Sequence, residues 1–191
     1  MFSTLGVSVL LPPTFFLDAS IRATLQDFQF PVLFGLMQAL TWIGEDWVLI
    51  VAALALYGIG RRRKRQRLKQ AGALGLIALA ASAGVVQVIK HLAGRPRPDL
   101  VDRGILNWGP SFERGHDAFP SGHATLAFAL AAVLSSVYPS GRWIWYSLAV
   151  LVAFTRIYID AHFASDVFVG AVLGLLIGTW ASMLKLEYLE S

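Results

Sequence analysis

The sequence has no cysteine and little charge, and each shortage removes a class of protein. Without a thiol there can be no disulfide framework, no zinc–thiolate site and no cysteine nucleophile. Charged residues make up only 15% of the chain, against roughly 25% in soluble domains. What fills the gap is apolar: 56% of residues are hydrophobic and the mean hydropathy is +0.60. So few charges do not cover a water-facing surface, which points to one polytopic membrane domain over residues 1–191. The net charge of +4 is concentrated rather than spread: seven of the 16 Lys and Arg residues lie in residues 61–69, between two apolar segments. A short basic loop between spans reads as a cytoplasmic connection. No nucleic-acid-reading module accompanies it, so no nucleic-acid partner is expected.

The apolar segments predict an all-α transmembrane helical bundle of five to six membrane helices. Residues 47–60, 70–92, 121–138, 143–158 and 163–184 are the five spans. Gly94 and Pro96 end the second, and Pro120 precedes the third. Residues 20–43 read as one or two interfacial helices, with a sixth, tilted span as the alternative. The start, residues 1–17, is apolar but short, broken by Pro12 and Pro13, and lacks a signal-peptide pattern. Trp143, Trp145 and Tyr146 suit one aromatic belt; Trp42, Trp47 and Trp108 suit the other. Gly170, Gly174 and Gly178 give the last span a small-residue face for close packing.

Alternation from the basic loop brings three polar stretches to one membrane face. The first runs from Lys90 to Pro98 and holds Arg95 and Arg97. The second is Pro120-Ser121-Gly122-His123, and the third runs from Arg156 through His162 to Asp166. Lys90, Arg97 and Arg156 are cations suited to a tetrahedral oxyanion. Ser121 and Gly122 offer backbone donors at a helix N-terminus, where anions bind, and Gly122 permits close approach. His162 and Asp166 are four apart, so on a helix they share a face and the carboxylate holds the imidazole. With no matching excess of carboxylates, the cluster implies a highly charged anion, and phosphate fits best. Two histidines divide the chemistry: one, deprotonated, attacks phosphorus, while the other, protonated, donates to the leaving oxygen. A cation-rich cluster is the opposite of what Mg²⁺ or Ca²⁺ needs, so neither metal nor other cofactor is expected.

The spacings Lys90–six residues–Arg97-Pro98, Pro120-Ser121-Gly122-His123 and Arg156–five residues–His162–three residues–Asp166 resemble three signature motifs. They are those of the type-2 phosphatidic acid phosphatase, or lipid phosphate phosphatase, superfamily. The resemblance covers roughly residue 44 onward, and Thr155 stands where the family usually has Ser. It implies a metal-independent membrane phosphatase working through a phosphohistidine. His162 is then the nucleophile, Asp166 its orienting partner and His123 the general acid, while Lys90, Arg97, Ser121, Gly122 and Arg156 bind phosphate. The substrate is a lipid phosphate or diphosphate: undecaprenyl diphosphate, phosphatidylglycerol phosphate, phosphatidic acid or a lipid A phosphate. A lipid phosphotransferase sharing the phosphohistidine is the alternative. The expected location is a bacterial inner membrane, with the site on the periplasmic or extracellular face.

The neighbours read more plainly. Arg95 falls on another face from Arg97 and suits lipid headgroups; His91 suits packing; Asp160 suits loop capping. Arg103, Glu113, Arg114, His116 and Asp117 belong to a long loop, residues 99–119, that shapes the entrance and touches the headgroup.

Overall fold

Residues 122–137 are apolar on every side of a helix, and a helix of that kind belongs in the middle of a bundle. The computed structural model describes residues 13–184, with side chains from residue 17 onward. In it the apolar helix Gly122–Val137 is the central element. In chain order the α-helices are α1 (Pro13–Asp27), α2 (Pro31–Thr41), α3 (Asp46–Arg62), α4 (Gln66–Ala93), α5 (Pro98–Asp102), α6 (Gly122–Val137), α7 (Arg142–Tyr158) and α8 (Ala164–Ser182). Every face of α6 meets a neighbour. Leu126 and Leu130 pack on Leu49, Ala53 and Leu79 of α3 and α4. Ala129 and Val133 meet Leu74, Ala78 and Ala181 of α4 and α8. Ala127 and Ala131 meet Ala149 and Val152 of α7, and Ala124 meets Ala153 and Val167.

The α6–α8 pair is the tightest, and glycine makes it so. A Cβ on Gly170 would stand 2.6 Å from the Ser121 carbonyl oxygen, and one on Gly174 would stand 2.2 Å from that of Thr125. On Gly178 it would stand 2.3 Å from the Ala129 carbonyl oxygen. The small-residue face read from the sequence is therefore the seam between these two helices.

Each of the five expected spans is a helix, with ends shifted by up to four residues. By length and composition, Gln66–Asp102 and Ala164–Ser182 are long and apolar enough to cross a membrane. Pro31–Gly44 and Asp46–Arg62 pass the same test only together, bent by 47°. That bend is a finding about residues 20–43: they form α1 and α2, and α2 runs through a 3₁₀ turn at Trp42–Gly44 into α3. Large apolar side chains such as Val51, Val88, Ile144, Phe168 and Leu176 face outward, as lipid-facing positions do. The apolar beginning of the chain, residues 1–12, lies outside the described residues.

The basic turn after α3 and the turn after α6 lie together at one end, where Arg67, Gln70, Pro139 and Ser182 line a common cavity. The other end collects the C-termini of α4 and α7 and the N-termini of α6 and α8. Helix α1 lies across it, because Gln29 donates to the Tyr158 carbonyl and the Tyr158 hydroxyl donates to the Phe28 carbonyl. Gly94 ends α4 with φ of +50°, and the Gly109 carbonyl passes where any Cβ would sit. That glycine therefore lets the 99–119 loop fold back over the helix end.

Gly174→Ala should destabilise the protein by about 1–3 kcal/mol through overpacking, read as a lower melting temperature in detergent. Gly84→Ala is the control: nothing lies within 4 Å of the added Cβ, and the melting temperature should hold or rise. Equal behaviour of the two variants would refute the α6–α8 seam.

Candidate active site

Three helix ends deliver the polar residues. Lys90 occupies the last turn of α4, and Arg97 follows once Gly94 and Pro96 have stopped that helix. Arg156 occupies the last turn of α7. His123 follows Gly122 in the first turn of α6, with Ser121 at the N-cap making no side-chain cap hydrogen bond. A Cβ on Gly122 would meet nothing closer than 3.9 Å, so packing does not demand that glycine. Arg97 and Arg156 both act electrostatically on the His162 imidazole, and Arg156, Glu45 and His162 act on His123. The polar residues of all three stretches thus converge on one site.

His162 is arranged differently from the expectation of a shared helical face. It lies in the turn between α7 and α8, not on a helix, while Asp166 sits in the first turn of α8. The His162 Nδ1 donates to the Ala118 carbonyl at 2.7 Å, whereas the nearest Asp166 oxygen is 3.8 Å away. A carbonyl only accepts, so Nδ1 carries the proton and Nε2 presents its lone pair. Asp166 is occupied elsewhere: it accepts from Arg95 and, at 2.9 Å, from the Phe163 backbone N–H. Its own backbone carbonyl accepts the Ser121 N–H at 3.0 Å. That last bond also removes Ser121 from the free backbone donors, and the Ser121 hydroxyl is buried without a partner. Burial pushes the His162 pKa below its ordinary value; Asp166 opposes this, and the positive fields of Arg97 and Arg156 add to it.

The cations are also less bare than expected, because carboxylates lie among them. Asp117 takes a two-pronged contact from Arg97, Nε at 2.7 Å and Nη2 at 2.8 Å, and stands 3.6 Å from the Lys90 ammonium. Burial works against its charge, yet the Arg97 hydrogen bonds and the fields of Arg97 and Lys90 hold its carboxyl below the usual range. Asp117 therefore belongs to the site proper rather than to its entrance. Glu45, in the break between α2 and α3, lies 3.3 Å from His123 Nε2. Arg156 donates to the Thr41 hydroxyl at 2.9 Å, and its Nε is buried without a partner.

Residues 71–187 match the PAP2 superfamily. The chain belongs to that superfamily. It is 31% identical over 160 residues to the lipid A 1-phosphatase of Rhizobium johnstonii, covering 77% of this chain and 64% of that relative's length. It is also 31% identical over 150 residues to the decaprenylphosphoryl-5-phosphoribose phosphatase of Mycobacterium tuberculosis, covering 78% of each. Among solved structures it resembles the transmembrane PAP2-type phosphatidylglycerolphosphate phosphatase of Bacillus subtilis. There the TM-score is 0.72 at 25% identity, over 91% of this chain and 86% of that one.

Beside the residues of the three motifs, three stand out that sequence reasoning passed over and a fourth that it misplaced. Thr41 ends α2 and Glu45 lies in the α2–α3 break, 49 and 45 residues before Lys90, where the motifs begin. Asp18 comes from α1. Arg95, assigned above to lipid headgroups, is instead 2% exposed and paired with Asp166 and Asp18. Asp160 also departs from its expected role: it adopts φ of +58° and binds Arg22 of α1 at 2.6 and 2.7 Å. Trp108, expected in an aromatic belt, covers the Arg95 guanidinium at 4.7 Å from its ring centroid. His91 does pack, against Phe112 with ring centroids 4.5 Å apart. A motif search does not find Arg95 because it lies inside the first motif at a position the motif leaves open. The available signal was a further charge so close to a bilayer-length apolar segment.

Histidine-selective ¹⁵N NMR in detergent should find the His162 proton on Nδ1 at pH 7. Its titration midpoint should fall below 6.5, since the buried ring stays neutral as the pH drops through the usual range. A midpoint above that value, or an Nε2–H tautomer, would contradict this geometry.

Proposed function

We propose that the chain is a metal-independent phosphatase of a lipid phosphate or diphosphate, working through a phosphohistidine. One observation carries this reading. His162 is buried, its Nδ1–H is tied to Ala118, and its Nε2 lone pair is left to a site that also holds Lys90, Arg97 and Arg156. The Nε2 pair forms a bond to phosphorus as the bond from phosphorus to the lipid oxygen breaks. His123, as imidazolium, gives its proton to that oxygen. Glu45, 3.3 Å from His123 Nε2, favours the cationic ring against burial and the field of Arg156. Water then attacks phosphorus, His123 takes a proton from it, and the N–P electron pair returns to Nε2 with release of inorganic phosphate. Lys90, Arg97, Arg156 and the first turn of α6 around Gly122 hold the phosphoryl oxygens. Asp117, on two of the three cations, is the anion that phosphate displaces. The assignment of attack to His162 rests on the family pattern, and the free Nε2 supports it. The donor chemistry of the cluster, rich in cations, supports catalysis without a divalent metal.

A lipid substrate is supported by an apolar groove. Helices α3 and α7 do not meet, and α6 forms the floor between them. A cavity of about 870 Å³ there is lined by Ala52, Ala55, Leu56, Ile59, Leu130 and Leu134. A smaller one shares Leu130 and Leu134 and extends to Ile43 and Val152. These border Gly44, where an added Cβ would lie 2.2 Å from Val152 and 3.3 Å from the His123 ring. The groove follows α3, whose 17 residues span about 25 Å at 1.5 Å per residue. That length suits one long hydrocarbon tail beneath a phosphate at the site. The basic end opposite the site belongs in the cytoplasm by the positive-inside rule. The site then faces the outer side, in a bacterium the periplasmic or extracellular face of the inner membrane.

The test is phosphate release from undecaprenyl diphosphate, phosphatidylglycerol phosphate, phosphatidic acid and lipid A phosphate, in detergent with EDTA. Wild type should release phosphate from at least one; His162→Ala should abolish release, and His123→Ala should lower it by about 10²–10⁴-fold. Release that needs an added acceptor lipid would make the chain a phosphotransferase. Release lost in EDTA, or retained by His162→Ala, would overturn the mechanism. Ala55→Phe, in the groove, should raise KM for long-tailed substrates while sparing an eight-carbon phosphatidic acid. An equal effect on both would remove the groove from substrate binding.

A further inference from the structure

Arg95 is the buried charge that the proposed chemistry leaves without a task. Its Nη1 donates to Asp166 Oδ1 and, at 2.7 Å, to the Ser165 hydroxyl, and its Nη2 donates to Asp18 Oδ2 at 2.7 Å. Aromatic rings cover the guanidinium, Phe163 at 4.3 Å and Trp108 at 4.7 Å to the centroid. Asp18 of α1 is equally buried. Its Oδ1 accepts the Ser165 backbone N–H at 2.8 Å and its Oδ2 accepts the Ser165 hydroxyl at 2.5 Å. Breaking such a pair strands a buried charge, so it is held firmly. A guanidinium fork locked from two sides leaves Asp166 little freedom to turn.

The consequence falls on His162. Asp166 Oδ2 is 3.8 Å from the imidazole Nδ1, beyond hydrogen-bond reach, and Nδ1–H goes to the Ala118 carbonyl instead. We propose that Arg95 is a positioning residue of the catalytic site: it draws Asp166 away from His162 and offsets its charge, with Asp18 of α1 as the outer strut. The nucleophile then keeps a free electron pair at neutral pH, while the carboxylate stays near enough to compensate the cationic ring of the covalent intermediate. Helix α1, remote from all three motifs in sequence, becomes part of the catalytic apparatus. This inference rests on the reading of His162 as nucleophile.

The charged groups acting on or beside His162 are Asp166 of α8, Arg97 and Asp117 of the loops flanking α5, Arg156 of α7 and His123 of α6. Removing one member of the outer network should therefore move the acid limb of kcat/KM, which reports the free enzyme. Arg95→Met leaves Asp166 uncompensated, so the imidazolium gains support and the limb should move about one unit toward higher pH. Asp18→Asn keeps an acceptor for the Ser165 N–H but removes a negative charge, so the limb should move the other way. Arg95→Lys should restore most of the wild-type profile. All variants are compared on one substrate of the wild-type enzyme, whose own ionisation cancels, and scaled to the folded fraction from size exclusion. Wild type and His162→Ala in the same assay report on the parent reading; only the profiles report on Arg95. Opposite displacements for Arg95→Met and Asp18→Asn support the proposal, and should Arg95→Met not fold, Asp18→Asn and Arg95→Lys carry the comparison. Profiles that superimpose on wild type, however much activity is lost, assign Arg95 and Asp18 to stability alone.

Discussion

The fold and the candidate site depend together on one fully buried carboxylate. Desolvating Asp166 costs several kcal/mol unless its oxygens are satisfied, and no single element can satisfy them. One carboxylate oxygen takes the Arg95 guanidinium from the loop after α4; the other takes the N–H of Phe163 at the N-cap of α8. Its backbone carbonyl takes the N–H of Ser121, at the N-cap of α6. The exit of α4 and the starts of α6 and α8 must therefore meet in one register. Gly170, one turn further along α8, makes the meeting possible, since a side chain there would collide with the Ser121 carbonyl. The same contacts that close the bundle place His123, His162 and the cations around one point.

The site balances its charges internally. Arg97 and Lys90 share Asp117, Arg95 shares Asp166 and Asp18, and His123 faces Glu45. In a low-dielectric surrounding an uncompensated cation is costly, so a cluster of cations at a helix-bundle end carries anions of its own. Asp117 is half-buried on a loop, whereas Asp18 and Asp166 are buried on helices. The first can yield its cations to a ligand, and the other two are part of the frame. Helix α1 completes that frame at its edge, where Arg22 bridges Asp102 and Asp160.

Much of this was legible from the chain. Apolar runs marked α3, α4, α6, α7 and α8, because a segment in hydrocarbon must satisfy its backbone internally and so declares itself by length and composition. The glycines of α8 announced a close seam. The three motifs announced a polar cluster, and their alternation about the basic loop put them at one end. The errors share a cause. His162 and Asp166 were placed on one helical face, but the chain breaks between them and the carboxylate finds a stronger partner. Arg95 was read as outward-facing from its distance to Arg97 along the chain, although Gly94 and Pro96 had already ended the helix that gave such spacing meaning. Asp117 was left at the entrance because its cations lie 20 and 27 residues earlier.

By itself, then, the sequence determined what is local or periodic: helix positions, the packing face of α8, the polarity of the loops and the residue types the chemistry draws on. Only the tertiary structure decided who pairs with whom. Arg95 chose Asp166 and Asp18 over solvent, His162 chose the Ala118 carbonyl over Asp166, and Glu45 reached His123 across 78 residues. Those choices are competitions among buried polar groups for a limited set of partners. Their outcome depends on distances of a few tenths of an ångström, which no spacing along the chain encodes.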